Sequence, residues 1–318
     1  MNDELALRLK AQHGAVSTAD ALACGHSWLD LSRLVARGEL VRVRTGAYVD
    51  APLHAAASPE ERLALRATAV CRSLGMRYAV SHAAAVALAG LPVLGAGNGA
   101  VHLTRLTPGK TRSSAGKSRA SAGVAMHPVL PARAIGTVRG VPVVLPAFAV
   151  LQLAALRGLE AGVVAADAAV NRRLVRRQDL RAAFEQARLG PGVGAARAVL
   201  HLVDGRSESV GESRTRVLLR AVGLPPPQLQ AEIRDRQGGL VGRVDFLFRA
   251  ERTVVEFDGL VKYGEDTARQ ALIAEKRRED RLRALGLEVV RLTWRDLEDP
   301  AGCLALVRGA FARARRVG

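Results

Sequence analysis

Residues 244 to 262 read Val244-Asp-Phe-Leu-Phe248, then Arg-Ala-Glu-Arg-Thr253, then Val254-Val-Glu-Phe-Asp-Gly-Leu-Val-Lys262. Two runs rich in β-branched and aromatic residues flank five polar or small ones, the pattern of a β-hairpin. Each run carries an acid, Asp245 and Glu256, with ten residues between them. Val244, Phe246 and Phe248 alternate with Asp245, so a period of two sets the acid opposite a face that buries three apolar side chains. The returning run brings Glu256 and Asp258 back beside Asp245. Carboxylates crowded in this way raise one another's pKa unless a cation compensates. A hard divalent ion, Mg²⁺ or Mn²⁺, takes oxygen ligands of this kind.

Upstream, Ser207-Glu-Ser-Val-Gly-Glu-Ser-Arg-Thr-Arg216 reads as a helix start with Glu208 and Glu212 one turn apart. Glu212 either adds a further carboxylate to the hairpin acids or pairs with Arg216 one turn later. Downstream, about 267 to 285 reads as a charged helix. Its apolar positions are Leu272, Ile273, Leu282 and Leu285, and its other face carries Lys276, Arg277, Arg278 and Arg281, a surface suited to backbone phosphate. Leu287 to Thr293 reads as one more buried strand, followed by Trp294.

The order helix, strand, strand, helix, strand, helix, with acids on the first helix and the hairpin, resembles the PD-(D/E)xK restriction-endonuclease superfamily. It resembles more closely the bacterial domains related to very-short-patch repair endonucleases, whose second strand ends Glu-x-Asp-Gly, as Glu256-Phe-Asp-Gly259 does here. The resemblance spans about 207 to 316. It implies that Asp245 and Glu256 are metal-binding acids, that Glu212 is the acid of the first helix, and that the substrate is DNA. The superfamily's lysine, two residues after Glu256, is replaced by Asp258. The resemblance then leaves Lys262 to stabilise the charge that builds on a phosphate during attack. Asp258 is read either as a further catalytic acid or as the start of an Asp-Gly turn.

The start of the chain is the second informative region. Glu4 to His13 reads as a short helix, a second follows a Ser17 or Thr18 cap and ends at Gly25, and His26 to Arg37 reads as a third. Leu40 to Val43 and Ala47 to Val49 form a hairpin about Arg44-Thr-Gly46. Three short helices and a hairpin make a winged helix-turn-helix, in which the third helix enters a major groove. Ser27, Asp30, Ser32, Arg33 and Arg37 lie on its polar side, and Arg42 and Arg44 on the wing reach phosphate. The stretch Gly38-Glu-Leu-Val-Arg-Val-Arg-Thr-Gly-Ala-Tyr48 resembles the N-terminal domain of AbiEi-type antitoxins, which repress their own operons. Residues 1 to 50 hold six basic and six acidic residues, so a protein-contact role for the module stays in view.

Residues 51 to 206 hold twenty Lys or Arg against seven Asp or Glu, and most of the chain's net charge of +17 sits there, a footprint that suits a polyanion. Strands at 100–106 and 140–145, and helices at 81–90, 147–157, 161–172 and 179–188, give an α+β region similar to the one after the winged helix in AbiEi-like proteins. His82, His102 and His127 lack metal-ligand spacing and read as structural or incidental. The stretch from Pro108 to Arg119 fails as a phosphate loop, because no glycine stands four residues ahead of its Gly-Lys pairs. Cys24, Cys71 and Cys303 have no paired spacing, so neither a disulfide scaffold nor a zinc site is indicated. With no secretion signal and no apolar run of membrane length, the reading is cytoplasmic with no membrane partner.

The expectation is therefore a multi-domain α/β protein: a winged helix-turn-helix over 1–50, a basic α+β region over 51–206, and a restriction-endonuclease-like domain over 207–318. Its function reads as a Mg²⁺- or Mn²⁺-dependent DNA endonuclease, with Lys276 and Arg277 joining Arg33, Arg37, Arg42 and Arg44 on DNA. The alternative is an AbiEi-like repressor or antitoxin with a degenerate nuclease fold, partnered by an operator and a toxin. A homodimer and an RNA substrate both stay open.

Overall fold

The structure is a computed structural model that describes residues 1–97, 99–107, 119–121, 123–259 and 265–317, with backbone only for 119–121, 265–272 and 317. Lys262 and all but the end of the Pro108–Arg119 stretch lie outside the described residues. The protein is mixed α/β and divides into two compact units, Met1–Val203 and Asp204–Gly318. Among the described residues no helix is long and apolar enough to cross a membrane.

The first unit opens with α1 (Asp3–Ala11), β1 (Ala15–Ser17), α2 (Thr18–Ala23), α3 (Trp28–Ala36), β2 (Leu40–Arg44) and β3 (Ala47–Asp50). Ser17 and Ser27 begin α2 and α3 through reciprocal capping boxes with Asp20 and Asp30, which satisfy backbone N–H groups that a helix start leaves unpaired. The three helices and the hairpin stand where the sequence set them. Strand β1, three residues long and too short to show a period, completes a sheet of order β1-β3-β2. Leu5, Val16, Leu31, Leu34, Leu40 and Tyr48 form its core.

The unit continues with α4 (Ala51–Ala56), α5 (Pro59–Ser73), β4 (Tyr78–Val80), α6 (His82–Leu88), β5 (Val101–Arg105), β6 (Arg119–Ser121), β7 (Val124–His127), β8 (Ile135–Val138) and β9 (Val141–Val144), and ends with α7 (Pro146–Arg157), α8 (Leu159–Asn171), α9 (Arg177–Gln186) and α10 (Val193–Leu202). Its second sheet has the order β6-β7-β5-β4-β9-β8. Helix α5 packs against strands of both sheets, so residues 1–50 belong to the same compact unit as the chain up to Val203.

The second unit is α11 (Val210–Ala221), β10 (Gln228–Arg234), β11 (Leu240–Phe248), β12 (Thr253–Phe257), α12 (Glu265–Ala284), β13 (Glu288–Leu292), α13 (Trp294–Leu297) and α14 (Pro300–Val317). Its sheet runs β10-β11-β12-β13, antiparallel up to β12 and parallel between β12 and β13, which α12 connects. Three strands therefore separate the first two helices of this unit, not the two expected. The extra strand, β10, was hidden by its polar residues Gln228, Gln230, Glu232 and Arg234.

On one face of the sheet, Phe246, Phe248 and Leu292 pack with Leu219 of α11 and with Val307 and Phe311 of α14. On the other, Ala231, Val244, Leu247 and Val254 pack with Leu282 of α12. Val244 thus does not share a face with Phe246 and Phe248, as simple alternation required. The cause lies next door: Gln230, between the pairs Leu229↔Phe246 and Ala231↔Val244, has a left-handed φ of 50°, and the side-chain faces of both strands switch there. Asp245 sits at the switch. On α12, Leu282 is buried as expected but Ile273 is exposed.

Candidate active site and nucleic-acid face

The β11–β12 ladder ends toward the site at the pair Phe246↔Val255, with Asp245 and Glu256 the next residue on each strand. Asp245 Oδ2 accepts the backbone N–H of Phe257 at 2.9 Å, and Oδ1 accepts Gln230 Nε2 at 3.4 Å. Glu212, buried in the first turn of α11, accepts the same Gln230 Nε2 at 2.9 Å and the backbone N–H of Glu208 at 2.9 Å. One glutamine amide therefore bridges two carboxylates from different elements. Burial pushes the Asp245 carboxyl above its ordinary range; the Phe257 N–H opposes that and the nearby Glu212 adds to it.

Glu256 is held differently. Its two oxygens accept Arg278 Nη1 and Nη2 at 2.8 and 2.7 Å, a bidentate pair, and the same guanidinium reaches Glu275 at 2.5 and 3.0 Å. Hydrogen bonds that Arg278 donates to Glu275 and then to Glu256 keep it protonated well above its usual range. Arg278 is thus no part of the basic surface expected to meet phosphate. It stands one turn before buried Leu282, on the same side of α12, and that phase was the signal that would have found it. Gln230 gave no signal beyond its place in an unrecognised strand.

Glu212 does not take the alternative partner offered by the sequence, because its oxygen faces Gln230 and the Glu208 N–H rather than Arg216. The backbone N–H of Asp258 donates to Leu292 O at 2.8 Å, extending the β12–β13 ladder by one bond. The ring of Phe257 lies edge-on to Trp294 at 4.7 Å. Among the described residues, three metal-capable side chains with ligand atoms all within 4.8 Å of one another occur only at His82, His102 and His127. The acids do not close to that spacing, and the histidines that spacing had set aside as structural or incidental do, because sheet order brings distant strands together.

On the first unit, Arg33, Arg37 and Arg42 are exposed and Arg44 is half-buried. Arg33 pairs loosely with Asp30 at 3.4 Å, Arg37 with Glu39 at 4.0 Å, and Arg42 donates to Thr45 Oγ1 at 3.0 Å. Exposed pairs of this kind are weak, so these guanidinium groups can exchange partners for phosphate. Ser27 and Asp30 are committed to capping α3, while Trp28 and Leu29 stand 60% and 59% exposed at its start. Lys276 and Arg277 are exposed on α12.

No family model matches the chain. It is 29% identical over 174 residues to the uncharacterised protein Rv2248 of Mycobacterium tuberculosis strain ATCC 25618 / H37Rv, and equally to the uncharacterised protein MT2308 of strain CDC 1551 / Oshkosh. The match covers 54% of this chain and 63% of each relative.

Proposed function

We propose that this chain binds DNA with its first fifty residues and hydrolyses a phosphodiester bond at a metal-dependent site in its C-terminal unit. The observation that carries the reading is the helix, three strands, helix, strand order with Asp245 and Glu256 on neighbouring strands and Glu212 tied to Asp245 through Gln230. That order supports a restriction-endonuclease-like domain, and the sheet order β1-β3-β2 with three helices supports a winged helix-turn-helix.

Asp245, half-buried, and Glu212, buried, fit a hard cation, since neighbouring carboxylates drawn from water carry an electrostatic cost that Mg²⁺ or Mn²⁺ relieves. Glu256 would join them on giving up a bond to Arg278. When bound, the ion supplies a polarised water and positive charge for the phosphate. The chain's own residues prepare the site: Gln230 fixes the spacing of two acids, the Phe257 N–H orients Asp245, and Lys262 is assigned to the phosphate. Arg33, Arg37, Arg42, Arg44, Lys276 and Arg277 are assigned to the DNA backbone.

The test is cleavage of supercoiled plasmid by purified protein with Mg²⁺ or Mn²⁺, beside Asp245→Asn and an EDTA control. Metal-dependent nicking or linearisation is expected, reduced by about 100-fold or more in Asp245→Asn with plasmid binding retained. Cutting by that variant at the wild-type rate rejects the assignment.

The specific observations that favour a second reading are Asp258 in the usual lysine position and the Arg278 clamp on Glu256. Under it the chain is an AbiEi-like repressor or antitoxin whose nuclease fold has become a binding module. That reading gives a footprint on an operator and no strand scission with either metal.

A further inference from the structure

The second sheet of the first unit gathers three imidazoles. Strands β5 and β7 are parallel with His102 opposite Ala125 and Thr104 opposite His127, so the two histidines are offset by two residues and share a face. His82 opens α6 directly after β4, whose Val80 pairs with Leu103 of β5. Ring centroids lie 4.0 Å apart for His82 and His127, 4.8 Å for His82 and His102, and 5.0 Å for His102 and His127. His102 Nδ1 and His127 Nε2 are 2.8 Å apart.

The surroundings hold His82 in place. Its Nδ1 is 2.9 Å from Ser81 Oγ, and Ser81, the N-cap residue by position, makes no capping bond with that hydroxyl. The buried Gln152 on α7 accepts the His82 backbone N–H at 3.3 Å. His82 also has a left-handed φ of 53°, a strained conformation for a residue with a Cβ, and strain of this kind collects at functional sites. Ligating imidazoles characteristically have the second ring nitrogen fixed by an outer partner, as Ser81 fixes that of His82. Burial moves all three imidazoles toward the neutral form, the form that binds metal, with His127 lowered to about 4.

We propose that His82, His102 and His127 bind one divalent transition-metal ion of the borderline class, Zn²⁺ foremost, in a site separate from the acids of the second unit. Imidazole nitrogen suits this class, whereas Mg²⁺ takes oxygen. A zinc–nitrogen bond of about 2.0–2.1 Å in tetrahedral geometry places two ligand nitrogens about 3.3 Å apart. The cluster's 2.8 Å pair and its 4.8 Å outer limit bracket that distance, so small side-chain rotations close the site. Binding takes the proton shared by His102 and His127 off the facing nitrogen and returns it, through water, to the other nitrogen of the same ring, which stays neutral. Three histidines leave a fourth position. A cavity of about 660 Å³ lined by His82, His127, Gln152, Leu156 and Arg188 gives it room for water or a small ligand.

The test uses the full chain, stripped with a chelator and titrated with Co²⁺, whose tetrahedral complexes absorb strongly in the visible. Wild type and Asp245→Asn are expected to take up one equivalent with that absorption, which Zn²⁺ then bleaches. His102→Ala and His127→Ala are expected to lose it, with affinity down by more than about 100-fold. Because either variant could misfold, zinc is also added to wild-type protein carrying [¹⁵N]histidine. Ring signals of three of the seven histidines should move together. Absence of tetrahedral absorption in wild type, its loss in Asp245→Asn with retention in the histidine variants, or an unchanged histidine spectrum overturns the proposal.

Discussion

At the residue scale, Gly211 shows what a single missing Cβ does for the acid site. A Cβ there would stand 1.9 Å from Phe257 Cε1, so the aromatic ring occupies the space a side chain would need. That ring lies against Trp294, and the backbone N–H of the same residue binds Asp245. Gly211→Ala is expected to displace the ring and lower the stability of the C-terminal unit by about 1–3 kcal/mol, as overpacking does. Urea denaturation followed through Trp294 fluorescence checks it, and an unchanged midpoint refutes the close approach. Nothing in Val-Gly-Glu-Ser shows this need, because the partner ring is far along the chain. The acids themselves were legible, since each interrupts a strongly apolar strand.

At the element scale, α2 depends on its capping box. Asp20 is opposed by burial, yet hydrogen bonds from the Ser17 hydroxyl and N–H and from Gln12, with Arg72 nearby, hold its carboxyl below the ordinary 3.8. A carboxyl lowered on folding binds its proton more weakly in the native chain than in the unfolded one. Its contribution is therefore complete above about pH 4 to 5 and fades as pH falls through the folded value. Asp20→Asn should cost the first unit about 1 kcal/mol at pH 6, and the gap to wild type should shrink toward pH 2. Paired urea titrations across that range decide it, and a gap independent of pH removes Asp20 as the titrating group. A cap at Ser17 or Thr18 was readable from local pattern, and the structure selects Ser17, with Asp20 three residues on. Strand β10 was not, because its identity rests on pairing with β11.

At the scale of the whole molecule, the break at 203/204 separates distinct cores, one built on two sheets and one on a four-stranded sheet covered on both faces. Residues 204–318 expressed alone are expected to fold, since a domain of that size with its own core is self-sufficient. Dispersed amide signals and a cooperative thermal transition would show it, while a molten spectrum would reject it. The sequence alone determined what depends on short range: the capped helices of the N-terminal module, the β11–β12 hairpin, the placement of Asp245 and Glu256, and the basic character of the middle. Their signals repeat within a few residues. The tertiary structure decided the rest. It turned Arg278 inward onto Glu256, bridged Glu212 to Asp245 through Gln230, and moved Val244 to the face opposite Phe246. It also drew His82, His102 and His127 into one cluster. Each of these depends on which strands become neighbours, and strand order is fixed by burial of two sheet faces rather than by spacing along the chain.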